Sequence, residues 1–330
     1  MSDWTAMVLA AGYGTRLRPL TEEMPKPLIP VVNQPLLSMV LRHLFRWQPR
    51  RVVVNGHHLS QQVHDFLLSS PRAESISFIH EKNILGTGGG IRNAAAKLGG
   101  EFFVTINGDV LTDLPLDLVM DFHRQQDVLA TMVFHDYPRF NSVQVAGQRI
   151  VSFNQKYTST DKTQLLAYTG IQICSPRLLS IFSGSGFISI IDVYEQLLRE
   201  EREQIAAYIM PAGQYYWRDL GTVGDYLNIH RDLRENPALA HSLLGHKVDF
   251  PLVAPGAKVS GAELSGVTVI APRCELGLGS RVEDSILWPG VSIGRECRLQ
   301  RSIVGQNVKI PAGSILMDQV LVNEKREVIN

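Results

Sequence analysis

Residues 10–28 gather the groups best suited to chemistry on an anion. They read Ala10-Ala11-Gly12-Tyr13-Gly14-Thr15-Arg16-Leu17-Arg18-Pro19-Leu20-Thr21 and close with Pro25-Lys26-Pro27-Leu28. Glycines let backbone N–H groups approach a phosphate, and two arginines and a lysine supply countercharge. The prolines stiffen the loop and reduce the entropy lost on ordering it. No Gly-Lys-Ser/Thr follows, so this is not the Walker pattern, and the third glycine of the dinucleotide fingerprint is missing. The stretch is read as a phosphate-binding loop of another kind.

Three more stretches carry candidate chemistry. Leu85-Gly86-Thr87-Gly88-Gly89-Gly90 is too costly in backbone entropy for an ordinary helix lead-in, and it leaves room for a flat ligand or a phosphate. Asn107-Gly108-Asp109 sets a carboxylate at the end of an apolar run, where it can reach a metal. Mg²⁺ is typically held by one or two carboxylates plus substrate phosphates. Asp113 lies close by, but Asp109 follows the run directly and is preferred. Trp217-Arg218-Asp219-Leu220-Gly221-Thr222 offers a second aspartate, although Gly-Thr before a helix is also a common cap.

The elements that must position these groups alternate. Ala6–Ala10 is apolar without alternation, as a buried parallel strand is. A helix is expected from Leu36 to Trp47, a strand at 51–54, a helix from Ser60 (as its cap) to Leu68, and a strand at 76–79. A helix at 91–98 and a strand at 102–106 follow. The phosphate loop and Asp109 then both sit at carboxyl ends of strands, where open α/β sheets bind ligands. This β-α-β-α-β order predicts a Rossmann-like, mostly parallel sheet with right-handed crossovers. Further on come a helix at 116–126, a strand at 129–134, a hairpin within 140–153, a strand opening at Tyr168 and a helix at 190–200.

From Val253 the pattern changes. Val253, Val259, Leu264, Ile270, Leu276, Val282, Leu287, Ile293, Leu299, Val304, Ile310 and Leu316 recur at steps of five or six, with small residues, Gly and Pro at the corners. This hexapeptide pattern predicts a parallel β-helix whose coils bury their apolar faces by stacking. The expected division is a catalytic domain at 1–234, a linker at 235–250 and the repeat at 251–330. Residues 250–330 hold no histidine, which argues against a second, acyl-transfer activity in the repeat.

Composition narrows the partners. The chain of 330 residues carries 32 Lys plus Arg against 32 Asp plus Glu, which argues against a nucleic-acid surface. No apolar run approaches the ~20 residues of a membrane span, and no signal peptide is evident. Three cysteines, Cys174, Cys274 and Cys297, form no CxxC pair. An odd, sparse set fits reduced thiols and a cytoplasmic location.

Gly12-Tyr13-Gly14-Thr15-Arg16-Leu17-Arg18-Pro19-Leu20-Thr21 with Pro25-Lys26-Pro27-Leu28 resembles the signature of the sugar-1-phosphate nucleotidyltransferases, or NDP-sugar pyrophosphorylases. Other matches extend the resemblance along nearly the whole chain, including a left-handed β-helix of the kind appended to this family. It implies that an NTP and a sugar 1-phosphate give an NDP-sugar and pyrophosphate, with Mg²⁺. It assigns Arg16, Lys26, Asp109 and Asp219 to catalysis, with Asp109 and Asp219 as metal ligands. Nucleotide contacts fall to Ala10, Gly12, Gly14, Thr15, Arg16, Gly86, Gly88 and Asn107. Sugar-phosphate contacts fall to Lys156, Gln155, Asn141, Thr169 and Gly170. Gln155 stands where the family usually has a glutamate for sugar hydroxyls, so sugar identity is left open. The appended repeat tilts the resemblance toward the mannose-1-phosphate guanylyltransferase type, with GTP and mannose 1-phosphate. Leu85–Arg92 and Asn55-x-His57 resemble both guanylyltransferases acting on mannose or heptose 1-phosphate and the uridylyltransferase acting on N-acetylmuramate 1-phosphate. The repeat is read as a stabilising or oligomerising module. A non-catalytic regulatory paralogue would lack one of the four catalytic residues, and all four are present. A dinucleotide oxidoreductase would carry an acidic residue after the second strand, where Asn55-Gly56-His57 stands.

Overall fold

The computed structural model describes residues 3–153, 163–201, 203–259, 261–323 and 325–329. The chain groups into two compact units, residues 1–12 with 40–217 and residues 13–39 with 218–330.

The first unit is built on a nine-stranded sheet. Its strands are β1 (Trp4–Leu9), β2 (Arg51–Gly56), β3 (Ile76–His80), β4 (Phe102–Asn107), β5 (Ala130–His135), β6 (Val143–Ala146), β7 (Arg149–Ser152), β8 (Gln164–Cys174) and β9 (Ile205–Ile209). Their order is β3-β2-β1-β4-β8-β5-β9-β7-β6. The β3-β2-β1-β4 half is parallel, as expected from its apolar, non-alternating runs. The whole sheet is mixed, which corrects the mostly parallel expectation. β8 inserts antiparallel between β4 and β5, and β7 runs antiparallel to both β6 and β9. The hairpin within 140–153 forms as expected. Helices Ser60–Leu68, Gly86–Asn93, Leu116–Arg124 and Ile190–Arg199 accompany this sheet. Met7, Val53, Phe103, Ile91, Ile190 and Tyr194 belong to one buried cluster, so sheet and helices share a core.

Two local expectations need correction. Ser60 is not the cap of its helix: Leu59, in the left-handed region at φ 48°, occupies that position. The Ser60 hydroxyl instead bonds His80 Nδ1 at 2.8 Å. The helix expected at 91–98 begins earlier and contains the glycine run, spanning Gly86–Asn93.

In the second unit, residues 252–328 form three sheets of short strands, parallel except for the final hairpin strand Lys325–Val328. Leu252 pairs with Val269, Val269 with Ile286, Ile286 with Ile303 and Ile303 with Val320, so each coil takes 17 residues. Ile270, Leu276, Val282, Leu287, Ile293, Leu299, Val304, Ile310 and Leu316 form its buried core, as the periodicity predicts. This is the arrangement of a parallel β-helix. Corners are tied between coils by small side chains: Ser302 N–H donates to Ser285 Oγ at 3.0 Å, and Gln319 N–H to Ser302 Oγ at 3.3 Å. Cys274 and Cys297 are buried and direct their thiols to the carbonyls of Trp288 and Pro311. The stretch at 235–250, expected as a linker, carries the helix Pro237–Leu244, capped by the Asn236 side chain and ended by Gly245 at φ 80°.

Candidate active site

In the first unit, the ends of β1 and β2 and the residue after β3 meet through side chains. Ala10 N–H donates to Asn55 Oδ1 at 2.7 Å, and Asn55 Nδ2 donates to Glu81 Oε1 at 2.7 Å. Glu81 Oε2 accepts from Leu85 N–H at 3.3 Å. Glu81 N–H donates to Gly56 O at 2.8 Å, and the Glu81 carbonyl accepts from His57 Nδ1 at 2.8 Å. Asn55 and Glu81 are each 2 % exposed. An acceptor-only carboxylate facing two donors is the arrangement that satisfies a buried acid. Glu81 thus joins the end of β1, through Asn55, to the glycine run. Sequence reasoning missed it; its only signal is an acid placed directly after an apolar strand.

The glycines of 86–90 are needed by packing as well as by any ligand. A Cβ on Gly86 would lie 2.6 Å from Ile188 O, and one on Gly88 would lie 2.8 Å from Ile188 Cγ2. A Cβ on Gly90 would lie 2.9 Å from Asn55 Nδ2. The helix is further held by Gly89 N–H to Ile188 O at 3.1 Å and by Ile190 N–H to Thr87 Oγ1 at 3.0 Å. The entropic cost of helical glycine is therefore offset by close approach to the 186–190 segment. Gly88, expected against a nucleobase, is buried here.

Asn107 ends β4, and Gly108 N–H donates to Leu9 O at 2.8 Å. A Cβ on Gly170, at φ 80°, would lie 2.6 Å from Asn107 Nδ2, so the expected nucleotide residue Asn107 and the sugar-side Gly170 are brought together. Thr169 is buried, with its hydroxyl donated to Val133 O at 2.9 Å and its carbonyl accepting from Trp217 Nε1 at 2.9 Å. Asn141 orders its own turn, accepting from Tyr137 N–H at 2.9 Å and donating to Asp136 Oδ1 at 2.8 Å. Tyr137, Phe140 and Trp217 form an aromatic cluster that sequence reasoning did not single out, with ring centroids 5.5–6.2 Å apart. Gln155 and Lys156 lie outside the described residues.

Asp109 occupies the turn after β4 and is partly exposed. Asp113 is engaged structurally, accepting from Tyr216 N–H at 2.7 Å, and burial raises its pKa. Among the described residues, chain neighbours aside, nothing lies within 4 Å of where a Cβ on Gly12 would sit.

In the second unit, Gly14 sits in the left-handed region at φ 64°. Thr21 Oγ1 donates to its carbonyl at 2.9 Å, and a Cβ there would lie 2.9 Å from Thr21 Cγ2 and 3.2 Å from Lys26 Cβ. The loop thus folds on itself and brings Gly14 and Lys26 together. Thr15 and Arg16 form an exposed single turn beyond it. Arg16 and the second aspartate both border Gly221: a Cβ there would lie 2.7 Å from Asp219 Oδ2, 3.2 Å from Asp225 Oδ2 and 3.3 Å from Arg16 Nη1. A side chain at 221 would displace the ends of these three side chains. Thr222 caps the helix Val223–Glu235, accepting from Asp225 N–H at 3.2 Å and donating to Asp225 Oδ2 at 2.7 Å.

Among the described residues, no group of three or more His, Cys, Asp or Glu side chains is placed to hold a metal. The carboxylate expected as a metal ligand is Asp109 in the first unit and Asp219 in the second. A lone carboxylate is a hard oxygen donor of the kind Mg²⁺ takes together with substrate phosphates.

The nucleotidyl transferase family model matches residues 5–236, and a GlmU-like C-terminal hexapeptide model matches residues 241–328. The chain belongs to the nucleotidyl transferase family. It is similar to a mannose-1-phosphate guanylyltransferase of Mycobacterium tuberculosis, 32% identical over 303 residues, covering 90% of this chain and 83% of the relative. It is also similar to a UTP–glucose-1-phosphate uridylyltransferase of Synechocystis, 26% identical, covering 91% of this chain and 86% of the relative. Among solved structures, HddC from Yersinia pseudotuberculosis in complex with GMP-PN shares the fold, with TM-score 0.58 and 22% identity over 70% of this chain and all of that one.

Proposed function

We propose that the chain transfers the guanylyl group of GTP to mannose 1-phosphate, releasing pyrophosphate. Nucleotidyl transfer follows from the family. The choice of substrates is supported by the mannose-1-phosphate guanylyltransferase relative, which spans the repeat as well as the sheet. The observation that carries the reading is the gathering of Arg16 and Asp219 around Gly221, with Lys26 folded against Gly14.

The nucleophile is a phosphate oxygen of the sugar 1-phosphate, largely ionised at neutral pH because a phosphate second pKa lies near ~6. No general base is needed. The protein has to position two anions and stabilise charge during in-line displacement at the α-phosphorus. Gly12 and Gly14 donate backbone N–H groups to the triphosphate, and Ala10 and Thr15 line the same loop. Arg16 holds the departing pyrophosphate. Lys26 neutralises the α-phosphate or the sugar phosphate. Gly86, Gly88 and Asn107 take the nucleoside; Asn141, Gln155, Lys156, Thr169 and Gly170 take the sugar phosphate. Asp109 and Asp219 would hold Mg²⁺, which when bound draws charge from the phosphate oxygens. We further propose a catalytic domain at 1–234, a connector at 235–250 and a left-handed β-helix at 251–330 that stabilises the chain or joins copies of it, in a cytoplasmic protein.

Pyrophosphate release from each of four NTPs against mannose, heptose, glucose and N-acetylmuramate 1-phosphates tests the reading. GTP with mannose 1-phosphate should be fastest. Faster turnover with UTP and N-acetylmuramate 1-phosphate would overturn the substrates, and silence across the panel would overturn the reaction.

A further inference from the structure

Helix Val223–Glu235 begins beside Asp219 and Arg16, and its Tyr226 and His230 reach two other parts of the same unit. These residues are four apart, hence on one helix face, and both are fully buried. Tyr226 O–H donates to Pro30 O at 2.5 Å, and the same oxygen accepts from Trp288 Nε1 at 3.1 Å. Trp288 belongs to the repeat and is fully buried. His230 Nδ1 donates to Tyr226 O at 2.8 Å, which leaves Nε2 to accept from Val32 N–H at 3.0 Å.

Val32 and Asn33 form the tip of the hairpin that pairs Pro30–Val31 with Gln34–Pro35. Their φ values are 44° and 62°. A β-branched residue in the left-handed region is strained and persists only where its surroundings hold it. Here the anchors are His230, Trp288 through Tyr226, and Ile270 O, which accepts from Asn33 Nδ2 at 3.1 Å. The hairpin leads straight back to the loop chemistry: Ile29 N–H donates to Lys26 O at 3.2 Å, and Leu36 N–H to Ile29 O at 3.1 Å. At the other end of the loop, Glu22 and Glu23 meet Lys325 and Asn323 of the last hairpin.

We propose that the helix 223–235 is a strut through which the repeat coil at Trp288 fixes the phosphate loop, and that Trp288, Tyr226 and His230 are positioning residues for the transfer step. The repeat then sets the geometry of Lys26 while touching no substrate. This rests on the catalytic reading of Lys26 given above.

The test uses Tyr226→Phe and Trp288→Phe in the full chain. Tyr226→Phe keeps the ring that fills the core, Trp288→Phe keeps a smaller aromatic ring, and each removes one link of the relay. Steady-state pyrophosphate release and amide hydrogen exchange of residues 26–36 are measured together. Tyr226→Phe should lower kcat about tenfold, the rate equivalent of one lost hydrogen bond in a positioned group, with both KM values within about twofold. Trp288→Phe should lower kcat about threefold, because the Pro30 bond survives it. Exchange in residues 26–36 should quicken in both, while the helix at 60–68 stays as in the parent. Unchanged kcat with quickened exchange, or a change confined to KM, would overturn the positioning role. Unchanged exchange would overturn the strut itself, and that result stands even if the parent protein releases no pyrophosphate. If Tyr226→Phe loosens the whole chain, Trp288→Phe decides.

Discussion

Glu81→Gln is the sharpest perturbation of the nucleotide side. The carboxylate faces two donors, Asn55 Nδ2 at 2.7 Å and Leu85 N–H at 3.3 Å. A glutamine has one acceptor and one donor end. With its oxygen toward Asn55, its NH₂ opposes the Leu85 N–H. Turned the other way, its NH₂ opposes Asn55 Nδ2. Asn55 cannot flip to answer, because its Oδ1 is held by Ala10 N–H at 2.7 Å. Either arrangement leaves one donor facing another. A lost hydrogen bond to a charged group costs about 1.5–3 kcal/mol. For a unit of this size the melting point should then fall by about 3–12 °C, at roughly 2–4 °C per kcal/mol. Because Ala10 and Leu85 flank the two glycine motifs, NTP affinity should weaken alongside. Thermal unfolding followed by circular dichroism, with nucleotide titration, measures both. A melting point within about 1 °C of the parent, with unchanged NTP affinity, would refute the hub.

Other outcomes follow from the same geometry. Arg16→Ala should lower kcat at least ~100-fold in steady-state pyrophosphate release, the cost of losing a charge partner for the leaving group; near-normal turnover would remove Arg16 from that role. Asp109→Ala and Asp219→Ala should each abolish Mg²⁺-dependent pyrophosphate release, and activity with unaltered Mg²⁺ dependence would contradict the metal assignment. Burial pushes the imidazoles of His43, His123 and His230 down to about 4. Between about 4 and the unfolded value near ~6.5 the unfolded chain binds more protons, so stability should fall as pH drops through that window and level off above it. Each histidine adds up to ~1.4 kcal/mol per pH unit there, and equal urea midpoints at pH ~5 and ~7.5 would contradict this.

What could be read from the chain was local. The runs 6–10, 51–54, 76–79 and 102–106 are rich in apolar residues, and this made the parallel half of the sheet legible. The repeat was legible for a related reason: each inward position recurs, so Ile270, Leu287 and Val304 announce themselves one coil after another. Strand order beyond β4 was not legible, because β8 selects its neighbours by tertiary packing. The start of the helix at Gly86, in the glycine run, was missed for the same cause. What makes those glycines necessary is Ile188, about a hundred residues away. The Arg16–Asp219 juxtaposition around Gly221 joins residues two hundred apart, and no spacing rule reaches it. Motif resemblance put both residues in one mechanism, and the fold puts them beside one glycine.

The central claim is that a sugar phosphate oxygen attacks the α-phosphorus of GTP. Mannose 1-phosphate labelled with ¹⁸O in its phosphate tests it directly, with products resolved by mass spectrometry and ³¹P NMR. The account predicts GDP-mannose carrying all the label, including the bridging oxygen, with an equal amount of unlabelled pyrophosphate. Labelled inorganic phosphate, or no GDP-mannose at all, would contradict it.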